Sequence, residues 1–262
     1  MCVYHGDCAS YFDDALHSVY NQTYRPDEVV LTVDGPVSHE IENVISKYEV
    51  EGGLKVVRLE KNMGHGVARR AGLANCTNEL VAIADADDIN EPTRFEKEIE
   101  YFEKNPKLTA ISTDCYHFVD SIDQPLYREY LPTTDEAIKK ALKTKCPLTQ
   151  ASVMFKKSKV EEAGGYQDWY HAEDYYLWIR LFQNGAVFAN IPECLLYVRS
   201  NSSYISRRGG YKYFKSLKKL FRYMYDNDII SYPLYLYNLT TRYVAQVLMP
   251  GKLRSILRKI AS

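Results

Sequence analysis

Three short apolar runs, each broken off by polar or glycine-bearing residues, constrain the fold of this chain more than anything else in it. Val29-Val30-Leu31-Thr32-Val33 stops at Asp34-Gly35-Pro36. Lys55-Val56-Val57-Arg58-Leu59 leads to Asn62-Met63-Gly64-His65-Gly66. Leu80-Val81-Ala82-Ile83-Ala84 stops at Asp85-Ala86-Asp87-Asp88. These runs have strand length, and the first is apolar enough to be buried on both faces. Residues 11–20, 39–48, 67–75 and 93–104 have helical spacing; in the first, Phe12, Ala15, Leu16 and Val19 share one side. Strand and helix alternate, which predicts a doubly wound, mostly parallel α/β sheet flanked by helices. Such sheets bind ligands beyond the carboxyl ends of their strands. Tyr4, Asp34, the Gly64/Gly66 turn and Asp85/Asp87 all follow strand ends, so one sheet edge should gather them. The strand before Tyr4 has almost no residues, so it is expected either to be short or, as favoured here, to begin upstream of Met1.

The acidic cluster at 85–88 is the sharpest local signal. Carboxylates that close repel, and each raises the others' pKa unless a cation lies among them. Residues i and i+2 of an extended segment share a side, so Asp85 and Asp87 can face one ligand together. Hard oxygen ligands suit Mg²⁺ or Mn²⁺, with a phosphate substrate completing the shell. The same stretch is also readable as an acidic turn opening a helix, with Asn90 as N-cap ahead of Glu91-Pro92 and Asp88 joining that cap.

The rest of the chain is less regular. Strands are expected at 110–112, 152–155 and 187–189, and helices at 135–143 and 172–181, the last opening on Glu173-Asp174. Residues 211–225 form a clean amphipathic pattern, with Tyr213, Phe214, Leu217, Leu220, Phe221 and Met224 opposite Lys212, Lys215, Lys219 and Arg222. Residues 207–262 carry twelve Lys/Arg against two Asp/Glu, although the whole chain has net charge −1. An acidic body with a basic end argues against a nucleic-acid binder and for a tail that meets anions, such as an anionic membrane surface, or for a helix with a solvated charged face. The six cysteines form no CxxC pair and fit a reducing cytosol. No secretory pattern opens the chain, and no apolar stretch reaches about 18 residues, so a cytoplasmic protein without membrane-spanning helices is expected.

The ordered set of Tyr4, Asp34-Gly35, Asn62-Met63-Gly64 leading to Ala68-Arg69-Arg70, Asp85-Ala86-Asp87-Asp88 and the distant Glu173-Asp174 resembles the family 2 glycosyltransferases of GT-A fold. It is most similar to bacterial members that build capsular, exopolysaccharide or O-antigen chains. The resemblance runs from Tyr4 to about Arg199. It implies a GT-A catalytic domain over 1–206, with a nucleotide-binding half to about 110 and an acceptor half beyond it, and a basic helical extension over 207–262. It implies that Tyr4 lines the nucleotide base, Asp34 accepts from the base, Arg69 helps hold the nucleotide, Asp85 meets the ribose and Asp87 holds Mg²⁺ or Mn²⁺. Gly64 and Gly66 would let the backbone approach the nucleotide, and Asp88 would be left to the turn and helix cap. Asp174 would be the general base of an inverting transfer from a nucleotide-sugar, expected to be a UDP-sugar, to a glycan acceptor, expected to be lipid-linked. The family often has Asn where Arg70 stands. Arg207 and Arg208, beside Gly209-Gly210, are expected to close over the donor diphosphate. The absence of Gln-x-x-Arg-Trp implies one sugar added per encounter. Two other readings stay open: a non-catalytic nucleotide-sugar binder or degenerate subunit, and a sugar nucleotidyltransferase. The second lacks the Gly-rich basic loop it would need after strand one.

Overall fold

The computed structural model describes residues 1–200 and 209–249. Its first layer is a parallel sheet of β1 (Cys2–Val3), β2 (Val30–Asp34) and β3 (Lys55–Leu59), connected through α1 (Ala9–Tyr20) and α2 (His39–Gly52). All five residues of β2 are buried, as its unbroken apolar run requires. The α2 helix starts on Ser38, whose hydroxyl accepts from the Ile41 amide, and ends on Gly53 in the left-handed conformation.

The chain continues through α3 (His65–Asn75), β4 (Leu80–Ala82), β5 (Ile89–Asn90), α4 (Arg94–Lys104), β6 (Ala110–Phe118), β7 (Tyr127–Glu129), α5 (Asp135–Leu142), β8 (Met154–Lys156), α6 (Lys157–Glu162), α7 (Glu173–Gln183) and β9 (Phe188–Arg199). Strands of this part form a second sheet in the order β4-β8-β6-β9-β5, with β7 added to β6. Only the β6–β9 pair in it is parallel. The sheet is therefore mixed, because β4, β5, β7 and β8 each run antiparallel to a neighbour. Strands from before and after residue 110 share this sheet, and one core spans Val33, Ala84, Phe95, Met154 and Ile191. A cavity of about 350 Å³, lined by Val29, Val30, Val81, Ala82, Phe95 and Met154, lies between β2 and β4.

Two helices follow, α8 (Gly210–Asp226) and α9 (Tyr232–Tyr243), and α9 continues into a wider helical turn at Val244–Leu248. The expected stripe of α8 is buried at Phe214, Leu217, Leu220, Phe221 and Met224. These side chains join the same core as Tyr175, Trp178 and Leu181 of α7. At roughly 1.5–3 kcal/mol for each large apolar side chain removed from water, that stripe binds α8 firmly to the rest of the core.

The structure corrects the expected cap at Asn90. Asn90 is in β5, paired with Leu196, and Thr93 is the residue before α4. Its side-chain amide donates to Ser18 Oγ, and its carbonyl oxygen accepts from Arg94. Asp88 caps no helix either; its carboxylate accepts from the backbone amide of Arg199, in β9. An intervening strand, invisible until β9 is in place to pair with it, separates the acidic cluster from α4.

Candidate active site

The segment between β4 and β5 sorts the acidic cluster by alternating burial. Ala84, Ala86, Asp88 and Asn90 are buried, whereas Asp85 and Asp87 are partly exposed between them. Both line a cavity of about 420 Å³ together with Tyr4, Asp34, Gly64, Arg69, Glu173 and Asp174. That volume lies within the range of small-molecule sites. Five separate segments thus deliver polar groups to one place.

Each group has a local cause for its position. Asp34 ends β2, and its carboxylate accepts from the backbone amides of Met63 at 2.6 Å and Gly64 at 2.9 Å. It orders the turn into α3 and still has lone pairs for a ligand. Gly64 has φ +86°, which favours glycine. Gly66 serves a different close approach from the expected one. A Cβ there would meet the carbonyl oxygen of Gln167 at 2.3 Å, so the residue brings α3 against the loop before α7. Tyr4 lies at the end of β1, with its ring edge-on to His5 and His65.

Arg69 reaches from α3 into the centre of this arrangement. Its guanidinium is 3.0 Å from Asp85 and 2.6 Å from Glu173, with the Arg69 and Glu173 side chains about nine-tenths buried. Burial opposes its charge, but the two carboxylates outweigh burial and raise its pKa above the ordinary arginine value. Asp85 responds in kind. Burial works against its ionisation, and Arg69 with His65 nearby holds its pKa below the ordinary carboxylate range. Asp88 goes the other way, raised well above that range by burial and by the Asp87 and Asp85 carboxylates. A carboxylate pair at Asp85 and Asp87 facing a cavity, with Asp88 disfavoured as a further anion, is a donor set suited to a hard divalent cation.

Asp174 sits one residue beyond Glu173, in the first turn of α7, where the helix end favours a carboxylate. The sequence pair thereby divides: Glu173 is buried on Arg69, and Asp174 is partly exposed at the cavity. The loop ahead of it is held by α8. Trp169 Nε1 donates to the Ser216 carbonyl, Ser216 Oγ donates to the Tyr170 carbonyl, and the ammonium groups of Lys212 and Lys219 lie over the Tyr170 and Trp169 rings.

Three cavity-lining residues carried no sequence signal strong enough to select them. Arg199 is the most consequential. Its backbone amide donates to Asp88, its Nε donates to the Asp87 carbonyl at 3.1 Å, and its guanidinium lies between the Tyr11 and Phe118 rings. An arginine closing the apolar run Cys194-Leu195-Leu196-Tyr197-Val198 was the available clue, and the structure buries it. His65 and His171 face each other with ring centroids 6.3 Å apart, and His171 holds an uncommon φ of +49°. Arg207 and Arg208, expected over the diphosphate, lie outside the described residues.

Comparison with known proteins agrees with this architecture. Residues 1–163 match the family model "Glycosyl transferase family 2". The chain is 37% identical to the amylovoran biosynthesis glycosyltransferase AmsE of Erwinia amylovora, over 85% of this chain and 83% of that protein. It is 34% identical to the UDP-Gal:alpha-D-GlcNAc-diphosphoundecaprenol beta-1,3-galactosyltransferase of Escherichia coli, over 99% of this chain and 94% of that protein. Its fold matches that of S. aureus TarS 1–349, solved in complex with UDP-GlcNAc, with a TM-score of 0.71 at 16% identity, covering 95% of this chain and 73% of that one. The chain belongs to glycosyl transferase family 2 and is a glycosyltransferase of GT-A fold, a class that typically depends on a divalent metal.

Proposed function

We propose that the protein transfers one sugar per encounter, with inversion, from a UDP-sugar to a hydroxyl of a lipid-linked glycan under assembly. The convergence of Asp34, Asp85, Asp87 and Asp174 on one cavity carries this reading. Asp34, ordered by two backbone amides, accepts a hydrogen bond from the base, and Tyr4 lines the base from the β1 side. Asp85, held by Arg69, receives the ribose. Asp87 holds the divalent ion, Mg²⁺ or Mn²⁺, and a bound ion supplies Lewis-acid stabilisation of the departing diphosphate. Arg69 acts through Asp85 and Glu173 as a positioning residue.

Asp174 takes the proton of the acceptor hydroxyl. The oxygen then forms its bond to the anomeric carbon while the bond from that carbon to the donor phosphate breaks on the opposite face. The nucleoside diphosphate leaves with the bonding pair, and one displacement inverts the centre. A base in this role must lie within hydrogen-bond reach of the hydroxyl.

The acceptor assignment rests on the Escherichia coli relative, whose name specifies a diphosphoundecaprenol-linked substrate. Such an acceptor would keep the enzyme at the cytoplasmic face of a membrane, in peripheral contact with anionic headgroups through its basic C-terminal region. Among the described residues no helix is long and apolar enough to cross a bilayer.

Replacing Asp174 with Asn tests the chemistry. Donor binding, measured calorimetrically with UDP-sugars and Mn²⁺, is expected to persist within about twofold, while kcat falls by about 10²–10⁴-fold. Transfer near the wild-type rate would remove Asp174 from the role of base.

A further inference from the structure

A second cluster of metal-ligating side chains stands apart from the acidic pair at the cavity. It lies on the β6–β7 hairpin. Cys115 and His117 are two residues apart on β6 and so share a face, and Glu129 of β7 is paired directly opposite Cys115. Cys115 and His117 are fully buried, whereas the Glu129 side chain is 31% exposed. We propose that Cys115 Sγ, His117 Nε2 and Glu129 Oε2 bind a thiolate-preferring divalent ion of the zinc class, leaving the fourth tetrahedral position to a water on the Glu129 side.

One of the three interatomic distances fits that geometry as it stands, and the other two need small shifts. Around a tetrahedral zinc with ordinary bond lengths, ligand atoms lie about 3.4–3.6 Å apart. Here Sγ to Nε2 is 3.6 Å and Sγ to Oε2 is 3.9 Å. Nε2 to Oε2 is 2.8 Å, a hydrogen-bond distance, so this edge has to open by about 0.6 Å. Glu129 is the partly exposed member of the three.

The histidine is held for the task. Its Nδ1 is 2.7 Å from Ser200 Oγ, and its ring stacks on Tyr127 with centroids 4.4 Å apart. The Glu129 carboxylate can only accept, so in the structure Nε2–H donates to it; metal binding would displace that proton and leave Nδ1–H to donate to Ser200 Oγ. A partner on the second ring nitrogen is the usual companion of a metal-bound histidine. The mixed sulfur, nitrogen and oxygen donor set separates this site by chemistry from the carboxylate pair at Asp85 and Asp87. Thiolate and imidazole select zinc-like ions, and carboxylate with phosphate selects Mg²⁺ or Mn²⁺. Ser200 directly follows Arg199, the residue that holds the Asp87 carbonyl and the Asp88 carboxylate. An ion here would fix the strand end on which the acidic cluster leans.

Cobalt(II) titration of the chelator-treated full chain tests the proposal without reference to transfer activity. The wild type is expected to develop a thiolate-to-cobalt charge-transfer band with the intense visible bands of a tetrahedral site. Excess Mg²⁺ should not displace the cobalt, and Zn²⁺ should bleach the spectrum at one equivalent. The Asp87→Asn variant should keep the full signal. Cys115→Ser and His117→Gln should lose it, with far-ultraviolet circular dichroism confirming that each variant is folded. Ser200→Ala, which spares all three ligands, should weaken zinc affinity by about 10-fold or more. Zinc at about a hundred times its dissociation constant should raise the wild-type melting temperature by about 5 °C. A wild type with no charge-transfer band, or a band undiminished in folded Cys115→Ser, would overturn the site.

Discussion

Arg69 joins the carboxylates of Asp85 and Glu173, from segments almost ninety residues apart in the chain, and it does so while nearly buried. Removing one partner of a buried ion pair leaves the other charge without compensation, at a cost of about 3–5 kcal/mol. Arg69→Ala should therefore lower unfolding free energy in urea by about that amount. Arg69→Lys, which keeps the charge but cannot span both carboxylates with a planar fork, should recover only part of it. Equal stability of wild type and Arg69→Ala would mean that Glu173 finds another donor. A second buried pair gives a pH signature. Arg94 and Glu98 are both fully buried, and burial pushes the Glu98 pKa from 4.5 up to about 7 despite Arg94 beside it. Below pH 4.5 both folded and unfolded chains hold the Glu98 proton. Between 4.5 and about 7 only the folded chain holds it, so stability falls as pH rises, and the loss is complete above that window. The total is about 3 kcal/mol. Glu98→Gln should lack this slope, so the two melting curves, recorded from pH 4.5 to 8, should diverge. Parallel curves would show that Glu98 ionises normally. At this scale the sequence was informative about Asp85 and Asp87, because their two-residue spacing puts both on the same side of the burial alternation, even though the backbone turns at 86–87. It was silent on Glu173, because only the folded position of Arg69 distinguishes that acid from its neighbour.

Among the elements, α3 connects the two sides of the site. Its N-terminal turn is ordered by Asp34, its middle carries Arg69, and its Gly66 touches the backbone before α7. Gly66→Ala puts a methyl group where Gln167 O now lies, so α3 and the loop leading to Glu173 and Asp174 must separate. Misplacement of a catalytic group by about 1 Å costs on the order of 10²-fold in rate, and a loss of that size in kcat/KM is expected. Donor affinity through Asp34 should change far less, and that split distinguishes displacement from general unfolding. An unchanged kcat/KM would mean that the loop yields without moving Asp174. The helices of this fold were legible because α1, α3, α4 and α8 each keep an apolar face at helical spacing. The short strands were less so. β4 and β5 are three and two residues long, and their partners β8 and β9 come from much later in the chain. Asn90 looked like a cap because local chemistry favours one there. Pairing with β9 and bonding to Ser18 and Arg94 override that preference.

For the whole molecule, the C-terminal helices have an inward and an outward face of different chemistry. The inward face of α8 is part of the core and steadies Trp169 and Tyr170 ahead of the proposed base. Truncation at residue 207 would remove Leu217, Leu220, Phe221 and Met224 from that core, so it would test folding rather than membrane contact. The outward face offers a cleaner experiment. Lys215, Lys218 and Arg222 are exposed on α8, and Tyr232, Leu236, Tyr237 and Leu248 are exposed on and after α9. Aromatic and aliphatic side chains beside lysines suit a headgroup boundary, and each basic residue near an anionic surface contributes about 1 kcal/mol. The full chain should bind vesicles containing anionic lipid more tightly than neutral ones, and raised salt should weaken that binding. Reversing two charges, Lys215→Glu with Lys218→Glu, should weaken it by about tenfold or more. Because neither lysine lines the cavity, transfer to a water-soluble acceptor analogue should be unchanged. A double variant that still sediments with anionic vesicles as the wild type does, or a wild type indifferent to lipid charge and salt, would mean that this face does not bring the enzyme to its acceptor.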